Sequence, residues 1–354
     1  MNLREIAKRA NVSIATVSRT INRIPTVDRQ LAKRVRKVIE EVGYYPNKQA
    51  RALVSGCSRT FGLIVSEITN PFFPEIVACF EDISVRHNYE MLLSSTIHDP
   101  KRMQLVVRRM IERRVDGVAM LTFGMEDSVI ENFRSCDVPL VLVDMASQIP
   151  GVINIRIDYR HGIRQAVQHV AALRHTRIAF VTGPAHLKSA VARRTAFEES
   201  MKEIGRDVAQ ELIVAGDHTI TGGMCALRKL AQLPERPTAV LCSNDMTAIG
   251  VLRQAYELGI ATPQDLSVVG FDDIPLAQFT IPPLTTVQMS QQRLAQLAFA
   301  ALFHRAETTL SSGEEYVLTT SLVLRHSTAL AHFGKSGPIL TSSWTASPKV
   351  LAGT

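Results

Sequence analysis

The sequence lacks every short motif that would mark a nucleotide-dependent or metal-dependent enzyme. No two of its 19 glycines are separated by a single residue, so GxGxxG and the dinucleotide-binding fingerprint are excluded. GxxxxGK followed by Ser or Thr, GxSxG and HExxH are missing too. Cys57, Cys79, Cys136, Cys225 and Cys242 are odd in number and fall in no CxxC or Cys/His spacing. That argues against a metal site or a disulfide framework and for reduced thiols. No cofactor, no metal and no catalytic constellation is expected. The opening MNLREIAKRANVS carries no apolar run of secretory type, and no stretch approaches the ~20 unbroken apolar residues of a membrane span. A cytoplasmic location is the expectation.

What is present is a globular composition, 46% hydrophobic and 21% charged over 354 residues, long enough for two or three domains. The formal charge of +7 is unevenly placed. Residues 1–59 hold 13 of the 40 Lys and Arg but 4 of the 33 Asp and Glu, so the rest of the chain is slightly acidic. A small basic head on a nearly neutral body points to a polyanion partner for the head.

Within the head, Leu3, Ile6, Ala7 and Ala10 outline a first helix with Asn2 as N-cap. Ser13 can cap a second, in which Ile14, Val17 and Ile21 share a face while Thr16, Arg19 and Asn22 fall on others. Two short helices with a tight turn make a helix-turn-helix. After Pro25, Asp28 can cap a third helix with an apolar stripe of Leu31, Val35, Val38, Ile39 and Val42, ended by Gly43.

The run VSIATVSRTIN at 12–22, followed by GYYPNKQARALVSG at 43–56, resembles the DNA-binding head and hinge of the lactose-repressor (LacI/GalR) family. The resemblance implies that Ile14 and Ala15, the first two residues of the recognition helix, discriminate operators. Ile14, Ala15, Thr16 and Arg19 would meet base edges in a major groove, Arg19 being long enough for a bidentate contact to guanine. Ser13, Ser18 and Asn22 suit phosphates, and the DNA-contacting set extends to Tyr44, Asn47, Ala50, Arg51 and Leu53. The hinge around residues 47–59 is too short to stay helical alone in water. By resemblance it folds when two copies meet in the minor groove, where Leu53 wedges between base pairs.

From residue 60 apolar runs alternate with amphipathic helical stretches, the pattern of βαβ units. Strands are expected at 60–67, 90–96, 117–123, 139–145 and 152–158, then at 177–183, 211–217, 239–245 and 266–273. The fold class is thus an α/β body of two tandem doubly wound parallel-sheet subdomains behind a small all-α head. NPFFPEIV, TGP, RRTAF, SND, GFDD and IPPLTTV resemble the ligand-binding core of the same family, which shares the type I periplasmic-binding-protein fold. Boundaries follow: a helix-turn-helix domain at 1–46, a hinge at 47–59, and a core at 60–330. The core's first subdomain is 60–158 plus 291–306, its second 159–287 plus part of 307–330. A tail at 331–354 is expected to be disordered.

In such a fold the ligand cleft lies at the carboxyl ends of the strands. The resemblance places Phe73, Asp144, Arg193, His218, Asn244 and Asp272 in it. A guanidinium fork, an amide and a carboxylate suit vicinal hydroxyls, so a sugar or sugar acid is the favoured effector, a purine-type effector the alternative. His218 stands where relatives often stack an aromatic ring, Met289 where some carry a polar contact, and Lys188 would favour an anion. The resemblance implies a homodimeric transcriptional regulator, most readily a repressor, on a pseudo-palindromic operator. A sugar-binding protein without a DNA role is the reading from another class, and an enzyme is not expected.

Overall fold

The structure, a computed structural model, describes residues 2–22, 24–44, 56–122, 127–144, 149–307 and 315–332. Contacts divide the chain into two units, Met1–Arg59 and Thr60–Thr354.

Among its described residues the first unit holds three helices, α1 (Leu3–Ala10), α2 (Ile14–Ile21) and α3 (Arg29–Glu41). Each starts where a side-chain oxygen satisfies an orphan amide. Asn2 Oδ1 accepts from Glu5 N at 3.1 Å, Ser13 Oγ from Thr16 N at 3.1 Å, and Asp28 Oδ1 from Gln30 N at 2.9 Å and Leu31 N at 3.1 Å. Ile6, Ala7, Ala10, Val17, Val35 and Val38 form the shared core. The face of α2 differs from the expected one. Val17 and Thr20 are buried, with Thr20 Oγ1 donating to Thr16 O at 2.8 Å, while Ile14 is 44% exposed. Ile14 opens the helix directly after its cap, beyond the part of α2 that reaches this core.

Among its described residues the second unit contains two six-stranded sheets. The first is built from β1 (Thr60–Val65), β2 (Glu90–Ser95), β3 (Gly117–Leu121), β4 (Leu140–Val143), β5 (Val152–Asp158) and β11 (Glu315–Thr319). Its order is β11-β5-β4-β3-β1-β2, all pairs parallel. Between these strands run α4 (Phe72–Arg86), α5 (Pro100–Glu112) and α6 (Asp127–Arg134). β1, β3 and β4 are buried along almost their whole length, as expected of strands covered on both faces.

The second sheet is built from β6 (Ile178–Val181), β7 (Ile213–Val214), β8 (Ala239–Cys242), β9 (Ser267–Asp272), β10 (Thr285–Gln288) and β12 (Ser321–Val323). Its order is β12-β10-β9-β8-β6-β7, with only β12 antiparallel. Its helices are α7 (Tyr159–Ala172), α8 (Lys188–Glu203), α9 (Ile220–Ala231) and α10 (Asp245–Glu257). The stacked rings of Phe180 and Phe197, 4.8 Å apart, pin α8 to β6. The last helix, α11 (Gln291–Glu307), packs back on the first sheet and on α4, with Phe299 edge-on to Phe61 and Phe80. The chain therefore passes between sheets at Asp158–Tyr159, between β10 and α11, and between β11 and β12.

Those passages are tied together. Buried Thr320 donates to Asp158 O at 2.6 Å and accepts from Gly162 N at 3.0 Å, joining the first passage to the third. Position 162 must be glycine for this: a Cβ there would stand 2.3 Å from Val287 Cγ1 and 2.6 Å from Thr320 Oγ1. Strand β7 is shorter than the apolar run 211–217 suggests, because a 3₁₀ turn takes Gln210–Leu212. Strands β10, β11 and β12 were not anticipated as strands. Asn47, Ala50, Arg51 and Leu53 lie outside the described residues, as does most of the expected tail at 331–354.

Candidate functional site

Both sheets end their strands toward a crevice, and the switch in strand order falls between β3 and β1 in one and between β8 and β6 in the other. Open α/β sheets bind ligands at such points. The centre of the crevice is Arg193, carried by α8 and only 4% exposed. Its guanidinium lies 4.0 Å from the Phe271 ring centroid and 5.2 Å from that of Tyr159, the two rings being 5.9 Å apart and tilted by 40°, a pair of cation–π contacts that offsets some of the cost of burial. Nη1 donates to Ser243 O at 2.5 Å, and Nη2 stands 3.2 Å from Asp272 Oδ1. The ion pair meets in distance but not in hydrogen-bond alignment. Arg193 Nε and Asp272 Oδ1 are both buried polar atoms without a hydrogen-bond partner among the described residues. Unfilled buried donors and acceptors are costly, which makes them the natural points for a polar ligand to enter.

Asp272 ends β9 at φ 111°. Burial raises its carboxyl to about 6 against the opposing pull of Arg193. Its carbonyl accepts from Gln291 Nε2 at 3.0 Å, so the acid is linked through its own backbone to the start of α11 and the second passage between sheets.

Asp144 stands after β4 at φ 55°. Its Oδ1 accepts from Ile157 N at 2.7 Å and its Oδ2 from the Tyr159 hydroxyl at 2.5 Å. Burial raises its carboxyl and these two donors work against that shift; burial drives the Tyr159 hydroxyl well upward.

On the other side, His218, at φ 65°, places Nε2 2.9 Å from Ser243 Oγ. Its ring stands over Gly183, where a Cβ would lie 2.0 Å from Nε2. Burial first, then the positive charge of Arg193, lowers its imidazole to about 3, so it is neutral at physiological pH. Buried Asn244 donates to His218 O at 3.2 Å while its Oδ1 caps α10 by accepting from Thr247 N at 2.9 Å. Arg193, His218 and Asn244 thus share one network through Ser243 and His218, and Asp272 and Asp144 reach it through Arg193 and Tyr159. Phe73 is buried in α4, its ring edge-on to Phe72 at 5.3 Å.

The other strand-end acids are engaged internally. Asp217 accepts from Thr219 N at 3.0 Å, Asp245 from Thr286 Oγ1 at 2.5 Å and Ile274 N at 2.9 Å, and Asp273 from Arg325 Nη2 at 2.7 Å and Gln288 Nε2 at 2.9 Å. Met289 is buried in the core, and Lys188 is exposed at the start of α8. Sequence reasoning missed Tyr159, Ser243, Phe271 and Gln291. Tyr159 directly follows the acid that ends β5, and Ser243 sits inside the SND run, so both carried a positional signal.

In the first unit, α2 presents Ile14, Ala15 and Arg19 to solvent, with Asn22 exposed at its end and Thr16 and Ser18 half-buried. Ser13 is occupied in capping, its Oγ also 2.9 Å from Thr16 Oγ1. Tyr44 packs against the three-helix core. Among the described residues no helix is long and apolar enough to cross a membrane.

A two-lobed α/β body with a polar crevice, in one chain with a basic helix-turn-helix, has the build of a ligand-responsive DNA-binding regulator. Residues 2–47 match the model of bacterial regulatory proteins of the lacI family, and residues 167–328 that of a periplasmic binding protein-like domain. The ribose operon repressor of Escherichia coli (strain K12) is 33% identical over 328 residues, covering 92% of this chain and 99% of its own. Among solved structures, the lac repressor dimer bound to operator and the anti-inducer ONPF superposes with a TM-score of 0.84 at 26% identity, over 93% of this chain and 99% of that one. A LacI family transcriptional regulator from Enterococcus faecalis V583 with bound ribose gives 0.69 at 26% identity, over 77% and 100%. The chain belongs to the lacI family of bacterial regulatory proteins.

Proposed function

We propose that the protein is a transcriptional repressor that binds a pseudo-palindromic operator as a homodimer and is controlled by a sugar or sugar acid held between its subdomains. The reading of DNA is assigned to Ile14, Ala15, Thr16 and Arg19 in a major groove, with Ser13, Ser18 and Asn22 on phosphates and Tyr44, Asn47, Ala50, Arg51 and Leu53 completing the contact. The effector is assigned to Asp144, Arg193, His218, Asn244 and Asp272, with Phe73 at the edge. The observation that carries this reading is the Arg193–Asp272 pair with its unfilled Nε and Oδ1. A vicinal diol supplies both a donor and an acceptor. The repressor and the ribose-bound regulator among its relatives support the same choice.

In this scheme ligand in the crevice changes the angle between subdomains, and the passages at Asp158, Gln291 and Thr320 transmit it. The effector is bound and released without turnover, and the protein works in the cytoplasm beside the chromosome. The test is a thermal-shift screen of the full chain against pentoses, hexoses, sugar acids, phosphosugars and nucleobases, followed by operator titrations with any hit. Binding raises the midpoint, and a genuine effector must alter operator affinity by the same factor that operator alters its own. Stabilisation by nucleobases alone would overturn the sugar assignment. Failure to enrich any duplex from a random pool would overturn the regulator.

A further inference from the structure

A depression of about 790 Å³ lies on the outer edge of the first sheet between β2 and α5, beyond the carboxyl ends of β1 and β2. Arginines rise on its α5 side. Residues 101–114 read KRMQLVVRRMIERR, six cations against one acid, in a body whose remaining charge is acidic. All six cations are exposed. Arg108 is held by Glu112 at 2.7 Å and Arg102 Nε by Ser95 O at 2.8 Å, whereas Arg109, Arg113 and Arg114 have no ion pair among the described residues.

The end of α5 has a definite address. Asp116 N donates to Thr60 O at 2.8 Å, and Gly117 pairs with Phe61 at the start of β1. Arg113 and Arg114 thus sit at the edge of the sheet where residue 60 brings the chain in from the basic head, opposite the edge that forms the crevice. Completing the dipole of α5 needs one cation in its last turn, and Arg109 already supplies it. Two further unpaired arginines beyond it repel each other and ask for a polyanion.

We infer that Arg109, Arg113 and Arg114 of the body bind the phosphate backbone of DNA flanking the operator. This rests on the regulatory function proposed above and adds a second, sequence-independent contact to the one made by the head. Such contacts position a protein on the duplex without reading bases, and each neutralised phosphate steepens the fall of log K with log salt by about 0.9.

The test uses the full chain and a duplex enriched by it from random sequence, trimmed to about 20 bp, enough for two half-sites a helical turn apart, or embedded in about 60 bp. The wild type is expected to bind the long duplex at least about tenfold more tightly at low salt, with a log–log salt slope steeper by about 1 to 3. The triple variant R109Q/R113Q/R114Q is expected to bind both lengths alike, with the wild-type affinity for the short one. A wild type indifferent to flank length overturns the inference whatever the variant does, and leaves the cluster to an acidic protein or to solvent. A variant that keeps the flank effect overturns it also. Loss of binding to the short duplex as well would show that the substitutions act on the head or the fold. Failure to enrich any duplex would instead remove the regulatory function itself and this contact with it.

Discussion

The Tyr159 hydroxyl donates to Asp144 Oδ2 across 2.5 Å. Asp144 ends a strand of the first sheet and Tyr159 opens the first helix packed on the second, so one short hydrogen bond joins the two subdomains at the wall of the crevice. The Tyr159 ring also makes one of the two cation–π contacts to Arg193.

Tyr159→Phe keeps that ring contact and removes the bond. Asp144 is left buried with a single donor, and the expected cost is about 1 to 3 kcal/mol. Urea denaturation of Tyr159→Phe, Asp144→Asn and the double variant is the check. The two losses should be markedly less than additive; additive losses would mean that the hydroxyl and the carboxylate are energetically independent.

The Arg193–Asp272 pair separates binding from stability. Asp272→Ala leaves a buried guanidinium without its counter-charge and should destabilise by about 3 to 5 kcal/mol. Asp272→Asn keeps the shape and an acceptor and should cost less, while weakening effector binding because the unfilled Oδ1 loses its charge. Equal effector affinity in Asp272→Asn and the wild type, by calorimetry, would remove Asp272 from the site.

His218 gives a pH dependence with a definite sign. Its imidazole is lowered to about 3 in the folded chain, so between there and its ordinary range near 6.5 the unfolded chain binds the proton that the folded chain refuses. Stability from this group is complete at neutral pH and is lost as the pH falls below about 6.5. Asp272, raised to about 6, works in the opposite sense, which makes a comparison with His218→Gln necessary. At pH 5.5 the wild type should have lost about 1 kcal/mol relative to the variant, compared with pH 7.5. A difference that stays constant with pH would show that the imidazole titrates normally.

Arg19→Ala should reduce operator affinity by about 1 to 3 kcal/mol and relax preference at one base pair. Repeating the selection from random duplexes with the variant shows it. Weaker binding with every base preference intact would return Arg19 to the phosphate backbone.

The architecture was legible because it rests on local signals: Asn2, Ser13 and Asp28 cap the helices that their positions suggest, and the fully apolar runs became central strands. Short edge strands were less so. β12 has three residues and β7 two, too few for a period to register. The crevice was harder still. Asp245 and Asp273 stand at strand ends just as Asp144 and Asp272 do, and only distant partners distinguish them. Arg325 and Gln288 hold Asp273, and Thr286 holds Asp245. No spacing in the chain reports a partner 41 or 52 residues away.

The His218 ring occupies the space that a side chain at position 183 would need. Any substitution of Gly183 must push the imidazole away from Ser243 and out of the crevice wall, while a substitution of His218 by a smaller residue opens room that alanine or serine at 183 can fill. Position 183, 35 residues away in sequence, is therefore free to change only where 218 has become smaller. Along the descent of this protein a residue other than glycine at 183 should mark a change of ligand preference at 218.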